Sequence, residues 1–199
     1  MENNKKNMNL PNIISLIRIL LIPVFMFFYL YREIEYGLII ATIVLVIAEL
    51  TDFLDGYIAR KYNMVTDLGK LLDPIADKSF SLTALILVAF DNIVPHPWGI
   101  VIIVIFLIRD FAVSALRQIA ASKQIIISAD KFGKIKSIML DIALPLLFVA
   151  AYVKFNLMMQ YTLTFDLLYY SGMAFLAIST VLTIYSGFNY IIKNKQVFK

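Results

Sequence analysis

The 199-residue sequence is 61% hydrophobic and only 16% charged, against roughly 45–50% apolar and ~25% charged in soluble domains, so a water-soluble globular fold is excluded and an integral membrane protein is expected. A formal charge of +4 is modest for a nucleic-acid binder, and the basic residues cluster with acids at the edges of apolar segments, which points to anionic head groups or phosphates. The absence of cysteine excludes disulfides, thiolate metal ligands and a cysteine nucleophile.

A bilayer core of about 30 Å needs ~20 apolar helical residues. Six segments qualify: 13–31, 38–59, 71–90, 98–121, 135–153 and 167–192. They form one domain spanning 1–199, with no Pro/Gly/Ser-rich linker and no internal repeat. The leading MENNKKNMNLPN is polar and basic, and Pro11 with Asn12 is placed to begin a helix on the inner membrane surface. The first apolar segment holds Arg18 and Pro23 and lacks a small-residue cleavage site after it, so it reads as a retained helix and not a signal peptide. If both termini share one side, every Lys and Arg except Arg32 and Lys154 falls on or toward that side, which the positive-inside rule makes the cytoplasm. The expected fold is therefore an all-α integral membrane protein, multi-pass in the cell (plasma) membrane. It has six transmembrane helices, a short amphipathic N-terminal segment, both termini cytoplasmic and the active site at the cytoplasmic side. Trp98, Tyr29, Tyr31, Tyr169 and Tyr170 lie near segment edges and read as an aromatic belt, while His96 reads as a solvated loop residue.

The stretch TDFLDGYIARKYNMVTDLGKLLDPIADK, joining the second and third segments, carries the chemistry. Helical spacing puts Asp52, Asp55 and Ala59 on one stripe and Asp73 and Asp77 on another, and the short connection makes the two helices antiparallel neighbours. Carboxylates gathered at a membrane edge cannot all stay ionised without a counter-charge. A hard cation such as Mg²⁺ suits oxygen ligands and keeps positions for phosphate oxygens, and two bridged ions suit a displacement at phosphorus. Gly56 and Ala59 leave a helix face bare for a base or pyrophosphate, Gly69 does so before the third helix, and Arg60 and Lys78 add charge against phosphate. Structural readings compete for single pieces. Asp73 before Pro74 fits an N-cap, Gly56 and Ala59 fit helix packing, and Arg60 with Lys61 fits an inner-surface anchor. Capping does not explain Asp52, Asp55 and Asp77 together.

The pattern D-x2-D-G-x2-A-R-x8-G-x3-D-x3-D, met by Asp52, Asp55, Gly56, Ala59, Arg60, Gly69, Asp73 and Asp77, resembles the signature of the CDP-alcohol phosphatidyltransferases. LPNIISLIRILLIPVF, IRDFAVSALR, FGKIKS and IYSGFNYI extend the likeness along nearly the whole chain, toward members that pass the phosphatidyl group from CDP-diacylglycerol to sn-glycerol 3-phosphate. The resemblance implies six membrane helices, a cytosol-facing site, a homodimer and a need for Mg²⁺ or Mn²⁺. It also implies roles for named residues. Asp52, Asp55, Asp73 and Asp77 would ligate two ions, with Asp77 also the general base, and Asp52, Gly56, Ala59, Arg60 and Gly69 would hold the CDP moiety. Asp110 stands where a glutamate is usual in the family, and Glu49 and Asp141 add acids beyond the signature.

A second group of charges bears on the acceptor. Arg109 and Arg117 lie in the inner half of the fourth segment, and Lys134 and Lys136 open the fifth. Arginine in an apolar run is costly unless it is paired or faces a polar cavity. Asp110 can pair with some of this charge, and an acceptor bearing a phosphate accounts for the rest, so Arg109, Arg117, Lys134 and Lys136 are candidate acceptor-phosphate ligands. Interfacial snorkelling is the structural alternative. Other acceptors of the same family (phosphatidylglycerol, inositol phosphate or serine) stay open, as does a cation transporter using the membrane carboxylates.

Overall fold

A computed structural model describes residues 10–61, 66–123, 131–157 and 162–195. Among them there is no strand. The order is α1 (Leu10–Leu30), α2 (Gly37–Lys61), α3 (Asp67–Phe90), α4 (Trp98–Ser122), α5 (Lys131–Tyr152), a π-helical turn (Val153–Leu157) and α6 (Thr162–Lys193). All six apolar segments are helical. Four of the helices are long and apolar enough to cross a bilayer among the described residues: Asn12–Leu30, Trp98–Ser122, Lys131–Leu157 and Thr162–Lys193.

Five of the six helices begin earlier than hydropathy places them, α4 alone starting at Trp98 as expected, because apolarity marks the part that lipid surrounds and not the hydrogen-bonded helix. At α3 the difference changes an assignment. Thr66 is the N-cap, its Oγ1 accepting the Gly69 backbone N–H at 3.0 Å, so Asp73 and Pro74 lie inside the helix and the capping reading of that pair is overturned.

α1 lies along both α2 and α3, α5 runs along α6, α2 also meets α5, and α4 bridges α3 and α6, whereas α2 and α3 touch only slightly. The Phe25 ring of α1 sits 5.0 Å from Phe80 of α3 and 5.4 Å from Phe148 of α5, joining three helices at one point of the core. α6 turns Gly172, Leu176, Ser179, Thr183, Ser186 and Tyr190 inward, a seam of mostly small residues. A Cβ at Gly172 would stand 2.9 Å from the Leu147 side chain, so this glycine is what lets α5 and α6 approach. Outward, Leu20, Ile108, Phe111, Leu167, Val181 and Phe188 are each more than half exposed. Apolar surface this extensive suits hydrocarbon and not water.

At the end of the bundle away from the acidic stretch, Arg32 forms an ion pair with Asp91, and Asn156 donates to the Glu35 carbonyl at 3.4 Å. Trp98, Tyr31, Tyr170 and His96 are exposed there, as expected. Tyr29 is not a belt residue. It is fully buried, its hydroxyl donates to the Leu87 carbonyl at 3.2 Å and its ring lies 4.8 Å from that of Phe148, so it belongs to the core.

Candidate active site

The opposite end is organised by α1. Asn12 is buried and donates through Nδ2 to Thr66 Oγ1 at 2.7 Å, tying the start of α1 to the cap of α3. Gly69 is buried beside it, where a Cβ would come 2.5 Å from Asn12 Oδ1 and 3.2 Å from Thr66 Oγ1. Only a glycine allows this approach, and the space next to its α-carbon on this side is filled by the asparagine amide.

Two turns further along α1, Arg18 is 2% exposed and its Nη1 meets Asp52 Oδ1 of α2 at 2.5 Å, while the Asp52 side chain is 40% exposed. A buried guanidinium is costly without a partner, so the pair fixes Asp52 from behind and leaves part of its carboxylate facing outward. In front of it opens a small cleft, lined by Arg18, Glu49, Asp52, Asp77, Ser81 and Asp141 over a floor of Leu45, Ala48 and Phe80. Four carboxylates face one guanidinium here. Glu49 Oε1 is buried with no hydrogen-bond partner among the described residues. An oxygen-only donor set with surplus negative charge is the chemistry that a hard divalent cation fits. Among the described residues no three such groups already gather at ligating distance. The expected set also takes in Asp55 and Asp73, which lie on α2 and α3 but whose side chains, with those of Ala59 and Arg60 and the surroundings of Gly56, fall outside what the structure describes.

A second, larger cleft, partly open to solvent, shares Asp77, Ser81 and Asp141 with the first and otherwise draws Lys78, Arg109 and Lys136 around Asp110. Asp110 Oδ1 accepts from Arg109 Nη1 at 3.0 Å and from Lys136 Nζ at 3.1 Å. Arg109 Nη2 donates to Ser186 Oγ at 3.2 Å, and Lys78 Nζ donates to Ser114 Oγ at 2.8 Å. Lys136 is buried, with its ammonium 4.8 Å from the Phe106 ring centre, so it does not snorkel to an interface.

The structure thus brings Asp52, Asp77, Arg109 and Lys136 to two adjoining clefts. It does not bring Arg117 and Lys134 there. Arg117 donates from Nε to Tyr190 Oη at 3.1 Å and lies over that ring, and Lys134 is exposed on the first turn of α5. Arg18 and Ser186 went unassigned from sequence. Arg18 carried a usable signal, since an arginine inside an apolar helix calls for a buried acid. Ser186 carried none, being an ordinary small residue until α6 is laid against α4.

The sequence profile of the CDP-alcohol phosphatidyltransferases matches residues 8–185. The chain belongs to that family and is an enzyme of its class. A Bacillus subtilis protein named CDP-diacylglycerol--glycerol-3-phosphate 3-phosphatidyltransferase is 35% identical over 96% of this chain and 97% of its own length. Proteins of the same name from Rickettsia felis and Escherichia coli K12 are 33% identical over 96% and 97%, and 29% identical over 92% and 93%, of this chain and of themselves.

Proposed function

We propose that this enzyme transfers the phosphatidyl group from CDP-diacylglycerol to sn-glycerol 3-phosphate, giving phosphatidylglycerophosphate and CMP. The observation that carries the reading is the joining of an acidic cleft to a basic one through a shared wall that contains Asp77. A reaction between a metal-bound pyrophosphate and a phosphorylated alcohol needs the first next to the second, with a proton acceptor between them. Glycerol 3-phosphate is favoured over acceptors that carry no phosphate by the three cations, Lys78, Arg109 and Lys136, gathered around Asp110 in the second cleft.

In this reading Asp52, Asp55, Asp73 and Asp77 hold two divalent ions, Mg²⁺ or Mn²⁺, and Asp52, Gly56, Ala59, Arg60 and Gly69 hold the CDP moiety. When bound, such ions supply Lewis acidity at the pyrophosphate and charge neutralisation for the leaving CMP. Arg18 keeps Asp52 oriented. Arg109 and Lys136 take the acceptor's phosphate, with Arg117 and Lys134 as outer cations on its approach, and Asp77 accepts the proton of the acceptor hydroxyl. The wider arrangement goes with it: six membrane spans, the clefts and both termini at the cytoplasmic face of the plasma membrane, and a homodimer. The positive-inside asymmetry supports that orientation.

The test is product identification. Purified protein with CDP-diacylglycerol and a panel of alcohols is expected to release CMP and form lipid with glycerol 3-phosphate alone. Equal use of glycerol, or preference for serine, inositol phosphate or phosphatidylglycerol, would overturn the assignment of the acceptor.

A further inference from the structure

Asp110 is the meeting point of three cations from three helices. Its Oδ1 receives both Arg109 Nη1, from its own helix, and Lys136 Nζ, from α5. Its backbone carbonyl receives Lys78 Nζ, from α3, at 3.5 Å. Each cation is also anchored elsewhere: Lys78 on Ser114, Arg109 on Ser186, and the Lys136 backbone through its carbonyl, which accepts from Ser179 Oγ at 2.7 Å. The Arg109 and Lys136 side chains are themselves largely buried, at 14% and 7% exposure, so their like charges repel with less screening than at a surface. The two nevertheless share one oxygen atom. Without a carboxylate at that point, Arg109 and Lys136 have no reason to stay side by side.

We propose that Asp110 is a positioning residue that holds Arg109 and Lys136 as a fixed pair for the phosphate of the acceptor. The inference rests on the proposed function above and extends it from the ligands to the group that sets their spacing. The cleft's three cations face three carboxylates, Asp77, Asp110 and Asp141, so what suits a phosphate there is not a surplus of charge but two adjacent cationic donors, Arg109 and Lys136, presented together. The carboxylate charge is what matters most, since a single oxygen accepts from both cations and the family usually places another carboxylate, a glutamate, at this position.

Asp110→Asn and Asp110→Glu separate charge from reach. Steady-state kinetics with each substrate varied in turn should show the KM for glycerol 3-phosphate raised about tenfold or more in Asp110→Asn and by a smaller factor in Asp110→Glu. In both variants the KM for CDP-diacylglycerol should stay within about twofold of wild type and kcat should fall less than the acceptor KM rises. The dissociation constant of inorganic phosphate, measured calorimetrically in detergent, should follow the same order. A folded Asp110→Asn enzyme with wild-type acceptor KM, or a loss confined to kcat, overturns the inference. If Asp110→Asn does not fold, Asp110→Ser, which also removes the charge, decides by the same readouts, and wild-type acceptor KM in it overturns the inference. If the wild type does not use glycerol 3-phosphate, the proposed function falls and phosphate binding judges Asp110: about tenfold weaker in the variant supports its role, and an equal constant ends it.

Discussion

Asp52 serves two partners, and its replacement should show both. Its outward part faces the acidic cleft while Oδ1 holds the buried Arg18. Asp52→Asn is expected to abolish turnover and also to lower the thermal midpoint in detergent, because a buried guanidinium loses its carboxylate. Breaking a buried pair costs ~3–5 kcal/mol, and the exposure of Asp52 brings the expected loss to the lower part of that range or below it. Asp77→Asn should differ. Asp77 is exposed on the shared wall, so turnover should fall by the ~10²–10⁴-fold typical of a lost general base while the thermal midpoint stays near wild type. An equal drop in midpoint for both variants would show that Asp77 is structural. Excess chelator should stop the wild-type reaction, and full activity in EDTA would remove the metal assignment.

At the scale of elements, the α1–α3 junction sets where Asp73 and Asp77 stand relative to Asp52. Gly69→Ala drives a methyl toward Asn12 Oδ1, 2.5 Å away, and Asn12 is itself bonded to Thr66. A destabilisation of about 1–3 kcal/mol is expected from such overpacking, read as a lowered thermal midpoint with reduced turnover. Asn12→Ala should offset part of it in the double variant, since the clash disappears with the amide; a loss in the double variant equal to the sum of the two singles would show that the contact is not the cause. How much of this was legible in the sequence differs by residue. Glycine at position 69 was legible as a close approach, but what approaches was not, because Asn12 and Gly69 belong to different helices. The start of α3 was misplaced for a related reason. Asp73-Pro74 and Thr66 are both acceptable starts by local chemistry, and the Thr66 side chain is satisfied on both sides, by Gly69 and by Asn12.

For the whole molecule, the positive-inside asymmetry makes a topology that can be measured directly, helped by the natural absence of cysteine. In inside-out vesicles, a cysteine placed at Lys123 should react with a membrane-impermeant thiol reagent and one at Glu33 should not, with the pattern reversed in intact cells freed of their outer barrier. The opposite pattern would put the clefts on the outer face. Membrane class, the six long helices and the candidacy of Asp52, Asp77, Arg109 and Lys136 follow from the sequence alone, because each depends on composition or on spacing along one helix. Which of those charges meet was decided only by tertiary structure. Arg109 and Lys136 share an oxygen of Asp110, while Arg117 turns to Tyr190. On a helix the side from which a long cation is satisfied is settled by whichever neighbour lies within reach, and that neighbour is not written in the cation's own segment.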